Sequence, residues 1–109
     1  MNLHFEQADS PEALSKRGEA KRRKGDLDGA LADFDQALAR QPDLAAAYSG
    51  RGLVRNAKQD FEGALADLKR AFELRPDWTG VNDMIKFIKK RSRRGKGDPS
   101  ATPDKSGGR

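Results

Sequence analysis

Apolar positions along this chain keep the rhythm of an amphipathic helix, not of a strand. Leu27, Ala30, Leu31, Phe34, Ala37 and Leu38 recur at spacings of three and four, which places them on one helical face. The rhythm returns at Phe61, Ala64, Leu65, Leu68, Ala71 and Phe72, and again at Val81, Met84, Ile85, Phe87 and Ile88. Start and stop signals separate these stretches. Ser10 before Pro11 has the form of an N-cap with proline at the first helical position. Lys24-Gly25-Asp26 ends one helix, turns the chain and caps the next, while Pro42-Asp43 and Pro76-Asp77 end the helices before them. The pattern predicts five helices, over about 11–24, 27–40, 44–57, 61–74 and 79–91. No segment alternates cleanly with period two and β-branched residues are scarce, so the expected class is all-α. One turn is in local conflict. Gln59 stands where the first turn has Gly25, and Asn56 or Lys58 is expected to supply the missing left-handed residue.

The helices repeat in pairs. Residues 9–42 laid on residues 43–76 agree at 14 of 34 positions. Arg17-Gly18 falls on Arg51-Gly52, and Gly29-Ala30-Leu31-Ala32-Asp33 falls on Gly63-Ala64-Leu65-Ala66-Asp67. A fixed period with an unbroken five-residue match signals a stacked repeat architecture.

The period and these residues resemble the tetratricopeptide repeat family, whose 34-residue unit is a pair of antiparallel helices. With unit one starting at Pro11, the family's small and large positions hold Leu14, Gly18, Ala30, Phe34, Ala37 and Pro42. In unit two they hold Tyr48, Gly52, Ala64, Leu68, Ala71 and Pro76. Small residues let the two helices of a pair cross closely, and the large ones fill the space beside them. The sequence departs from the pattern at Arg17, Arg51, Lys21 and Arg55; the stems of Lys21 and Arg55 are expected to lie on apolar surface with their charge in water. The resemblance implies an antiparallel helix-hairpin array. Unit one would span 11–44, unit two 45–78, and a capping helix 79–91, flanked by a flexible 1–10 and a disordered basic tail, 92–109. Trp78 is expected to be a packing anchor at the last junction.

The resemblance also implies partner binding without catalysis, in a groove lined by the first helix of each unit. The groove positions are Glu12, Ser15, Glu19, Arg22 and Arg23, then Ser49, Leu53 and Asn56, then Asp83, Phe87 and Lys90. Leu53 and Phe87 are expected to meet an apolar side chain of a protein partner, Asn56 its backbone, and the cations its acidic groups. The plainer alternative packs Leu53 and Phe87 between helices and leaves the charges as solvated surface. One subclass grips the acidic C-termini of chaperones with Lys, Asn and Arg at set positions. Those positions here hold Ser15, Glu19, Gly50, Gly80 and Met84, so a chaperone carboxylate clamp is not expected. Two repeats make a short array, and a homo-oligomer that covers its ends is a further alternative.

Charge changes this picture at one end. Residues 1–85 carry 13 basic and 15 acidic side chains, whereas residues 86–109 carry 9 and 2. The net charge of +5 therefore comes from the last quarter, where Lys86, Lys89, Lys90, Arg91, Arg93, Arg94 and Lys96 cluster. Such a cluster suits nucleic-acid phosphates or another anionic surface, though no aromatic residue follows Phe87 to stack on bases. A solubilising tail is the plainer reading. Candidate chemistry is otherwise sparse. There is no cysteine, the one histidine, His4, lacks evident co-ligands, and no Gly-rich phosphate loop is present. No metal, cofactor or catalytic set is expected. Asp33 and Asp67 recur at the repeat period, which marks a structural position. No run of apolar residues is long enough to span a membrane, and the N-terminus has no secretory pattern. The expected compartment is the cytoplasm.

Overall fold

The computed structural model describes residues 10–95. They form five helices: α1 (Pro11–Arg23), α2 (Leu27–Arg40), α3 (Ala45–Ala57), α4 (Phe61–Leu74) and α5 (Thr79–Gly95). Ser10 Oγ accepts a hydrogen bond from Ala13 N at 3.1 Å. Asp26 caps α2 by accepting from Gly29 N at 3.0 Å, and Asp60 caps α4 by accepting from Gly63 N at 3.1 Å. Each bond satisfies a backbone donor that the helix itself cannot. Between α1 and α2 the chain turns through Gly25 at φ +89°; between α3 and α4 it turns through Gln59 at φ +68°. The left-handed residue of the second turn is thus Gln59 itself. Neither Asn56 nor Lys58 replaces it, because the turn geometry falls on that position whatever side chain occupies it.

The fifth helix continues to Gly95, four residues beyond the predicted end at Arg91 and into the segment expected to be disordered. The expected stop rested on the loss of apolar residues. A helix already nucleated extends through good helix formers such as Arg93 without further burial, and its last turns place cations where the helix dipole favours them. Residues 1–9 and 96–109, with His4 and Lys96, lie outside the described residues.

Helices α1 and α2 pair, as do α3 and α4; α2 packs on α3, α4 packs on α5, and α1 touches α3. Two apolar clusters follow from this order. One joins Leu14, Phe34, Leu38 and Val54, and the other joins Phe61, Leu68, Ile85 and Ile88. The Phe34 ring is 1% exposed and lies between two glycines. A Cβ on Gly18 would stand 3.0 Å from Phe34 Cε1, and one on Gly50 would stand 2.3 Å from Phe34 Cζ. Phe34 therefore ties α2 to the first helices of both units. A Cβ on Gly52 would meet Leu68 Cγ at 2.9 Å. The close crossings expected at Gly18 and Gly52 are present, and Gly50 is a third.

The arginines that depart from the family pattern have a specific use. Arg17 donates to both oxygens of Asp33, at 2.9 and 2.8 Å, and Lys21 Nζ lies 3.2 Å from the same carboxylate. In unit two, Arg51 donates to both oxygens of Asp67 at 2.9 Å, and Arg55 adds a third bond at 2.9 Å. Lys21 and Arg55 thus turn their charged heads to buried carboxylates and not to water. The two aspartates are 2% and 4% exposed, and these cations compensate the burial of their charge. Arg51 also reaches Asp35 of α2 at 2.7 Å, linking the units.

A candidate peptide groove on the concave face

The first helix of each unit, α1, α3 and α5, lines one face of the array. Between α1 and α3 lies a shallow groove of about 390 Å³, bordered by Ser15, Lys16, Glu19, Arg23, Ser49 and Leu53, with Phe34 at its floor and Trp78 at its rim. Between α3 and α5 the face opens into a slot of about 480 Å³, bordered by Leu53, Leu68, Trp78, Val81 and Met84. Gly80, Asp83, Met84 and Phe87 carry the surface on along α5. Leu53 and Trp78 border both openings, and Gly80 and Met84 border both the slot and its continuation, so the three join into one strip. The strip is largely apolar and open, the kind of surface that takes an extended or helical segment and not a small ligand.

Five of the expected groove residues come together between α1 and α3: Ser15, Glu19, Arg23, Ser49 and Leu53. Asp83 and Phe87 border the far end. Phe87 is 53% exposed and is the exposed large apolar residue of the described chain; its side chain is not spent in packing against a neighbouring helix. Glu12 and Lys90 are exposed beside the strip without bordering it. Arg22 and Arg23 both turn onto Glu19, at 2.9 and 3.1 Å. The hydrogen bond from Arg22, against a smaller opposing effect of burial, holds the Glu19 carboxyl below its usual pKa. Asn56 is likewise engaged, since its Oδ1 accepts from Arg91 Nη1 at 3.2 Å.

Arg91 therefore belongs to the folded body. Its guanidinium lies 5.3 Å from the centroid of the Phe61 ring and 6.0 Å from that of Phe87, an arrangement in which a cation faces the negative side of an aromatic ring. Lys86, Lys89, Lys90 and Arg93 are exposed on α5.

The sequence reading missed Lys16, Phe34, Trp78, Val81 and Met84 as groove residues. Trp78 is half-buried and borders the strip, where a packing anchor had been expected; Arg75 stacks on its ring at 4.9 Å. A bulky residue just before a helix start, two positions after Pro76, was the available signal, but only the separation of α5 from α3 gives it a face in the groove. Among the described residues, no group of three or more His, Cys, Asp or Glu side chains could hold a metal ion. No described helix is long and apolar enough to cross a membrane.

A family model for the tetratricopeptide repeat matches residues 18–56. Among solved structures, the chain is similar to one described as the first TPR of Spaghetti (RPAP3) bound to the HSP90 peptide SRMEEVD. The TM-score is 0.73 and the identity 29%, over 75% of this chain. The chain spans 65% of the length of that relative. No curated protein matches it. The 34-residue period, the paired helices and these matches together show an all-α fold like that of tetratricopeptide repeats, two helix pairs followed by a fifth helix.

Proposed function

We propose that this chain is a non-catalytic protein-interaction module that holds a peptide or helix of a partner protein along its concave face. The observation that carries the reading is the open apolar strip formed by Leu53, Trp78, Met84 and Phe87. The similar solved structure, which holds a peptide, supports it. An apolar anchor side chain of the partner enters the slot between Leu53, Trp78 and Met84, where its burial supplies about 1.5–3 kcal/mol. The grip differs from a carboxylate clamp. Gly50, Gly80 and Met84 offer no cation, and Glu19 puts an acidic group where a clamp needs a donor. Localisation in the cytoplasm is proposed with the same reading.

The experiment uses the single tryptophan of the chain, which borders the groove. Peptides selected from a displayed random library are synthesised and titrated against the full chain while Trp78 fluorescence is followed. The expected result is a saturable shift in emission. Leu53→Lys should weaken binding on the order of 10-fold or more, through loss of one apolar contact and insertion of a charge. Removal of the residues after Arg94 should leave binding intact. Peptides that bind Leu53→Lys as tightly, or leave Trp78 emission unmoved, defeat the groove reading.

A further inference from the structure

The fifth helix stands in the register of α1 and α3 but exposes the face those helices use to receive their partner. In unit one that face presents Gly18 and Lys21 to α2; in unit two it presents Gly52 and Arg55 to α4. The glycines admit Phe34 and Leu68, and the cations are neutralised by Asp33 and Asp67. A further 34 residues along, the same positions are Lys86 and Lys89, and the position of the neutralising aspartate is Ala101. Lys89 is therefore a cation with no carboxylate at the repeat spacing. Lys86, Lys90 and Arg93 share its face by helical spacing. All four are exposed, and none forms an ion pair or side-chain hydrogen bond with another described residue. The four span about 10 Å of helix. Elsewhere the arginines of α1, α3 and α4 are spent on carboxylates of the chain itself.

We infer that this face of α5 binds the phosphate backbone of duplex nucleic acid, as a second site distinct from the groove. Three features select that occupant. A protein helix docking as a further repeat is blocked, because Lys86 replaces the glycine that allowed close approach in units one and two. A membrane is disfavoured because the stripe contains no apolar residue, and α5 buries Ile85 and Ile88 against α4. Single strands held by stacking need aromatic side chains among the cations, and the stripe has none. Long, exposed cations suit phosphates, which they meet without reading bases.

The test is fluorescence anisotropy of a short labelled DNA duplex with the full chain across a salt series. It is compared with the quadruple variant Lys86→Ala, Lys89→Ala, Lys90→Ala, Arg93→Ala, whose helix content is checked by circular dichroism. Four phosphate contacts predict a slope of log affinity on log salt of about −3.6 or steeper, a loss on the order of 100-fold between about 50 and 200 mM salt. The variant should flatten that slope by about 3 to 4. The proposal is overturned if the duplex does not bind at low salt, or if the variant keeps the slope. It is equally overturned if vesicles containing phosphatidylserine, or polyglutamate, bind as tightly as the duplex.

Discussion

Unit one and unit two share their plan but distribute volume differently. In unit one the large residue sits on the second helix, and the facing first helices present glycine. Phe34 lies between Gly18 and Gly50, and α1 touches α3. In unit two the second helix offers the smaller Leu68, and the register position of Gly50 is held by Met84. Leu68 and Met84 both border an open slot. A methionine side chain keeps backbones from the approach that glycine allows. The same repeat thus carries a groove of about 390 Å³ over Phe34 and a wider slot of about 480 Å³ over Leu68, and the wider one gives a partner's side chain more room. The groove is shaped by which helix carries the volume, not by apolar content.

The largest effects are expected at Phe34 and Leu68. Phe34→Ala should cost about 3–5 kcal/mol, because deleting a buried ring leaves a large cavity. Leu68→Ala should cost less, about 2–3 kcal/mol, because this side chain, as buried as Phe34, has less volume to lose. Urea midpoints followed by circular dichroism give the order; a larger loss for Leu68→Ala would place the keystone in unit two.

Acid separates the charges. The hydrogen bonds from Arg17, aided by Lys21 and opposed by burial, hold the Asp33 carboxyl below the usual carboxylate range. A lowered folded-state pKa contributes stability above the unfolded value, near 4, and that contribution is lost as pH falls through the folded value. Asp33→Asn should therefore be less stable than the parent at neutral pH, by about 1 kcal/mol for a pair with one exposed partner. It should also lose less stability on acidification below about pH 4. Urea unfolding at neutral pH and below pH 4 measures both, and parallel losses in parent and variant would show that Asp33 does not carry this acid response.

The smallest effect lies in the turns. Gln59 holds a left-handed conformation at a steric cost that Gly25 avoids. Gln59→Gly should stabilise by about 0.5–1 kcal/mol, and Gly25→Ala should destabilise by about 1 kcal/mol. Thermal midpoints of the two variants should move in opposite directions, and a shift of the same sign in both would break the equivalence of the turns.

Most of the fold was legible because its determinants are local. Caps such as Ser10, Asp26 and Asp60, the three-and-four spacing of the apolar residues, and the small residues at Gly18 and Gly52 each act within one or two turns or at a fixed repeat register. The site was legible in part. Ser15, Glu19, Arg23, Ser49 and Leu53 follow from which face of a first helix turns inward. The pairing of Arg22 and Arg23 with Glu19 was readable as contacts three and four residues apart, and it changes what those cations offer a partner. Trp78 and Met84 were missed because their exposure depends on how far α5 stands from α3.

Local sequence is enough for the five helices, their pairing into two units, the structural role of Asp33 and Asp67, and the concentration of positive charge in residues 86–109. These rest on periodicity, propensity and composition, which belong to neighbouring residues. Tertiary structure alone decided that Arg17 and Arg51 would clasp carboxylates 16 residues away and that Arg91 would pack on Phe61. It also decided that the groove would open between α3 and α5. Each of these depends on the distance between helices, and that distance is set by the side chains of both.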